Sequence, residues 1–192
     1  MSQTLPPNTI YPTSRAAWRR WLQKNHGRPE GIWLVLDKKS AGTPRMTYDD
    51  AVEEALCFGW IDGKVNTLDE MRRKIWISPR KPTSGWARTN KVRIERLRES
   101  GLMTPAGEAV IAAAMGNGTW TMFDGAEALE VPADLAAAFE RYPNAAANFD
   151  AFSRSAKFGY LAWIAMAKRP ETRAKRIEES ARLAGENIRS RH

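Results

Sequence analysis

Every strand-like run in this chain lies before Pro79, and the sequence beyond it carries helical spacing, so a fold must segregate a sheet from a helical remainder. Three short apolar stretches bounded by turn formers carry the strand signal: Gly31–Lys38, Trp60–Thr67 and Met71–Ser78. Leu68-Asp69-Glu70 joins the last two as an antiparallel hairpin, with Asp62-Gly63 as a competing turn that leaves the register open. The expected fold class is α+β, a small antiparallel sheet of about three strands packed with helices and followed by a helical carboxy-terminal half.

Helix ends are marked by caps. Ser14 caps a helix whose Trp18, Trp21 and Leu22 share one face, and Thr47 caps a second with Asp49 and Asp50 in its first turn and Ala51, Ala55 and Phe58 facing inward. Thr83 or Ser84 is expected to cap a third through Ala87, Ile94 and Leu97, closing at Gly101. Thr104-Pro105 opens a fourth that stops at Gly116-Asn117-Gly118, and residues 117–131 read as an ordered linker. Helices follow at about 132–141, 144–153 and 156–168, and a last one starts at Pro170, with Ala174, Ile177, Ala181 and Ala184 as its apolar stripe. The division drawn from these signals is an α+β half over residues 1–101 and a helical half over residues 102–192, packed on the first as one unit.

The net charge of +8 is unevenly laid out: residues 64–98 carry eleven basic and three acidic side chains, residues 99–153 one and eight. Such segregation steers an anionic partner to one face or lets the acidic segment pack beside basic neighbours. Weak, nonspecific nucleic-acid binding at low salt only is the expectation, since no RNA-recognition signature is present. The amino terminus Met1–Pro7 lacks a secretion signal and no run approaches a membrane span. With a single cysteine, Cys57, in an apolar run, a cytoplasmic protein with no membrane partner is expected.

The chemistry-bearing residues are few. His26 and His192 with Cys57 make no zinc spacing, the glycines make no phosphate loop, and no G-x-S-x-G elbow occurs, so no metal, flavin or nicotinamide cofactor is expected. One constellation stands out: Trp60 and Asp62 on the second strand, with Arg80, Ser84 and Trp86 in the loop after the third. Arg80 offers a fork of donors, amides after Ser84 the positive end of a helix, and the two indoles apolar walls, with Trp86 partly exposed. That set suits a small anionic ligand, and an internal Asp62–Arg80 ion pair fits it equally. The leading reading is a small binding or regulatory protein for an anionic ligand or a protein partner; the other readings are nucleic-acid binding through residues 64–98 and a cofactor-independent enzyme using Asp62, Lys64 or Arg80.

Two blocks carry a family resemblance. Phe58-Gly59-Trp60-Ile61-Asp62-Gly63, Ser78–Trp86, Asn90 and Met103–Gly107 form the first; Tyr160–Ile164, Ala167–Arg173 and Arg176-Ile177 form the second. In this order they resemble the bacterial YdeI/OmpD-associated family, also labelled bacteriocin-protection (OmdA) proteins. The resemblance implies a role in stress or bacteriocin protection and supplies no catalytic or binding residues to carry across.

Overall fold

Local capping chemistry sets most helix ends as the sequence indicates. In the computed structural model, which describes residues 7–190, the Ser14 hydroxyl accepts from Ala17 N–H and opens α1 (Arg15–Asn25). Met1–Pro6 and His192 lie outside the described residues. Thr47 and Asp50 close a reciprocal capping box at α2 (Tyr48–Cys57). β1 (Thr9–Ile10) precedes α1, β2 (Ile32–Asp37) lies between the two helices, and β3 (Trp60–Thr67) and β4 (Arg72–Pro79) follow α2.

Among the described residues the sheet has four strands in the order β1-β2-β4-β3 rather than about three, and it is mixed, because β1 runs parallel to β2 while the other pairs are antiparallel. A two-residue strand is too short to show alternation; it forms by docking on β2, where Trp33 N–H donates to Asn8 O at 2.8 Å. Asp62-Gly63 makes no turn. The β3–β4 register instead shifts between Asp62 and Val65, a bulge within the hairpin.

Alternation gives the sheet two unlike faces. Ile32, Leu34, Leu36, Trp60, Ile75 and Ile77 are buried on the inner face, where α1 and α2 lie. Trp60 Nε1 donates to His26 O at 2.8 Å, and Trp18 Nε1 ties α1 to Ala51 O of α2 at 3.1 Å. On the outer face Trp33, Lys74 and Trp76 are only half-buried.

The helix expected from Thr83 or Ser84 starts later, as α3 (Arg88–Glu99). Ser84 N–H is used in a turn to Lys81 O, so the polar loop spends its residues on turning before the helix begins. Thr104 opens α4 (Pro105–Gly116), which seats on α2 through Gly107: a Cβ there would meet Cys57 O at 2.4 Å, while the Thr104 hydroxyl donates to the same oxygen at 2.6 Å.

The described residues form two compact units, one of residues 7–84 and 89–117, the other of residues 85–88 and 118–190. The second contains α5 (Asp124–Glu127), α6 (Ala133–Phe139), α7 (Ala145–Asp150), α8 (Arg154–Ala165) and α9 (Pro170–Gly185). Its core joins Leu135, Phe139, Phe149, Phe152, Tyr160 and Ala181. Acids of the 99–153 segment find basic partners within their own unit: Glu108 pairs with Arg98, Asp134 with Arg173 and Asp150 with Lys157. No helix of the described residues is long and apolar enough to cross a membrane.

Candidate functional site

The hairpin register aligns Trp60 with Pro79 and Asp62 with Ile77, which puts both Trp60 and Asp62 on the inner face. Trp60 is 1% exposed and meets Trp21 edge-on at 5.9 Å, so its indole belongs to the core rather than to the wall of a ligand site. Asp62, two residues further, reaches the start of α2 and accepts a hydrogen bond from the Tyr48 hydroxyl. Burial, then this bond to a carboxylate, pushes the phenol up to about 12.

Three guanidinium groups from three elements gather about that pair. Arg73 on β4 lies over the Tyr48 ring, 5.6 Å from its centroid. Arg93 on α3 donates to Asn90 Oδ1 at 2.9 Å and to Asp49 Oδ1 at 2.5 Å, and its charge acts on Tyr48. Arg80 follows β4; its N–H donates to Gly59 O at 3.0 Å, tying the loop to the start of β3. Its side chain is 7% exposed, and burial draws the guanidinium down to about 10 against the opposing pull of Asp62.

Of the five residues expected from sequence, then, Asp62 and Arg80 lie within electrostatic reach of each other in the first unit. Ser84, in the same unit, sits in a turn and caps no helix. Trp86 belongs to the second unit, where it is buried to 2% exposure rather than partly exposed, and packs on Trp120 with centroids 5.0 Å apart. The amide that opens α3, Arg88 N–H, is already taken by the Glu127 carboxylate at 2.9 Å. Tyr48, Arg73 and Arg93 escape sequence reasoning because they come from separate elements. The available hints were the position of Tyr48 directly after the Thr47 cap and the spacing of Asn90 and Arg93 along one helix face.

Chemically, this arrangement is suited to holding negative charge. Tyr48, kept protonated, spends its one donor on Asp62, and the arginines supply forked donors for a carboxylate or phosphate. Cys57 is fully buried, and burial pushes its thiol up to about 11, which leaves it inert as a nucleophile. Among the described residues no three His, Cys, Asp or Glu side chains gather in a way that could hold a metal ion. The second unit has a mainly apolar groove of about 260 Å³, lined by Met122, Ala126, Val131, Leu161 and Ile164 together with Glu130 and Arg173.

Comparison with known families divides the chain along similar lines. A family described as "Domain of unknown function (DUF8412)" matches residues 10–110, and one described as "Bacteriocin-protection, YdeI or OmpD-Associated" matches residues 128–187. The carboxy-terminal block of the resemblance falls inside the second match, and the amino-terminal block inside the first. No curated protein and no solved structure matches the chain.

Proposed function

We propose, for a chain that belongs to the DUF8412 family and carries a YdeI/OmpD-associated domain in its carboxy-terminal part, that the first unit is a binding module for a small anionic ligand. One observation carries the reading: Arg80, buried at the inner end of the hairpin, stands with Arg73 and Arg93 around the Tyr48–Asp62 pair. Placing the Arg80 guanidinium out of water is costly unless negative charge faces it, and a bound anion would add to the charge that Asp62 supplies. The finer role, protection against a bacteriocin, rests on the printed name of the carboxy-terminal family alone, and a stress-protection role in the cytoplasm is a further part of this reading. An acid–base enzyme built on the same residues is less well supported, because Tyr48 holds its proton and Cys57 is sealed in the core.

Thermal melts in the presence of inorganic phosphate, pyrophosphate or citrate test the reading. A bound anion raises the melting temperature with concentration, as mass action requires. Arg80→Gln and Arg73→Gln should each abolish that rise. If Arg80→Gln lowers the melting temperature of the protein alone and no anion shifts either protein, Arg80 is a structural residue and the proposal fails.

A further inference from the structure

The outer face of the sheet presents a second constellation, independent of the anion site. Register and alternation place Trp33 opposite Trp76 and Lys74 opposite Val35 on that face. The two indoles meet edge to face with centroids 5.3 Å apart, and the Lys74 ammonium stands 4.6 Å above the Trp33 ring. The position of Trp76 is built into the backbone: its indole occupies the space above Gly31, where a Cβ would come within 2.5 Å of the ring, and a Cβ on Gly63 would lie 3.6 Å from its Cδ1. The bulge that contains Gly63 leaves the next residue, Lys64, exposed.

Charge on this face is available to a partner, in contrast with much of the basic segment. Arg72, Arg93, Arg96 and Arg98 are engaged with Asp69, Asp49, Glu53 and Glu108. Among the described residues Lys64 and Lys74 make no ion pair, and the acid on the face, Asp37, is paired with Arg45 at 3.9 Å and accepts from the Tyr11 hydroxyl. The surface therefore offers half-exposed aromatic rings beside uncompensated cations. A partner that uses both needs planar apolar faces and regularly spaced negative charge. We infer that the outer face of the sheet binds single-stranded nucleic acid, with a base stacking on Trp76, which Trp33 and its overlying Lys74 support from the side, and phosphates meeting Lys64 and Lys74. A duplex hides its base faces, a bare polyanion makes no use of the rings, and a neutral sugar makes none of the lysines. The footprint is small, which agrees with weak binding expected from net charge, but stacking adds a part that salt does not screen.

Fluorescence anisotropy of a short labelled single-stranded oligonucleotide tests this on the full chain. Two phosphate contacts give a slope of log affinity against log salt of about −1.4, and Lys64→Gln or Lys74→Gln should each reduce its magnitude by about 0.7. Trp76→Leu should weaken binding about tenfold or more at constant salt. Arg80→Gln should leave it unchanged, which separates this surface from the anion site. Lys64 is exposed, so its replacement reads the surface without disturbing the fold. Equal affinity for a duplex of the same sequence, a slope untouched by both lysine variants, or no binding even at low salt would each overturn the inference.

Discussion

The two units solve the same problem, joining helices around a core, with different materials. Where α1 meets α2 in the first unit, Glu54 is 2% exposed and receives Arg15 Nε and Arg19 Nη1, each at 2.7 Å. Arg15 also reaches Asp50 and Glu53, and Arg19 Nη2 donates to Leu102 O at 2.7 Å. In the second unit the corresponding joint is made of rings: Phe139, Phe149, Phe152 and Tyr160 contact one another with centroids 5.2 to 6.1 Å apart, and the ion pairs sit at the rim. Among the described residues the buried ionic side chains, Glu54 and Arg80, both belong to the first unit. A buried carboxylate is tolerated only while its partners stay in place, whereas a ring cluster tolerates the loss of any rim charge.

The sharpest way to break this comparison is Glu54→Ala. Removing one member of a buried ion network costs about 3–5 kcal/mol in general, and here the lower end applies, because Arg15 and Arg19 keep partial access to water. Urea unfolding followed by circular dichroism measures the change. The double variant Glu54→Leu with Arg19→Leu should recover part of the loss, since it removes the orphaned cation as well. A loss below about 1 kcal/mol for Glu54→Ala would mean that packing alone holds α1 on α2.

Alkaline titration sharpens the comparison from the side of Tyr48. Its folded-state pKa, about 12, lies above the ordinary tyrosine value near 10, so the stability that the protonated phenol supplies is complete below about pH 10. It is lost as pH rises towards 12, because only the unfolded chain can then release the proton freely. Tyrosinate absorbance of the wild type minus Tyr48→Phe should show that single late step. Burial is the larger cause and the bond to Asp62 the second, so Asp62→Asn should move the step only part of the way towards 10. A step already complete near 10 in the wild type would place the phenol in water.

How far these features could be read from sequence depended on the distance over which each is encoded. The caps at Ser14, Thr47 and Thr104 and the Pro170 start of α9 are decided by neighbours within one turn, and they were legible. So was the hairpin, whose register brings the Arg80 loop back to Gly59. β1 carries no pattern of its own, and Ser84 has a cap's chemistry without a cap's geometry, because the helix begins at Arg88. Asp62 was legible as an unusual acid on a strand. Its partner Tyr48 was not, since a tyrosine at the start of a helix reads as packing until the tertiary fold places its hydroxyl. Composition could not assign the eight tryptophans either: Trp60 and Trp86 went to the interior, while Trp33 and Trp76 stayed at the surface.

The smallest effect should come from Asp134 and Arg173 in the second unit. Arg173 Nε and Nη2 bond the two oxygens of Asp134 at 2.8 and 3.1 Å, a fork geometry that holds the carboxyl below its usual range. The carboxylate is nevertheless 45% exposed, so water and salt screen the pair, and Asp134→Asn should cost only about 0.5 kcal/mol. Because the folded pKa is depressed, this contribution is present above the ordinary carboxylate value near 4 and disappears as pH falls through the lower folded value. Raising salt should shrink it at neutral pH by a larger fraction than it shrinks the loss caused by Glu54→Ala, because Glu54 itself is buried. Measuring both variants in the same urea series at low and high salt puts the comparison at risk directly. If Asp134→Asn proves as costly as Glu54→Ala, or if both losses fall equally with salt, the second unit leans on its charges as the first does, and the ring cluster is not what makes its rim tolerant.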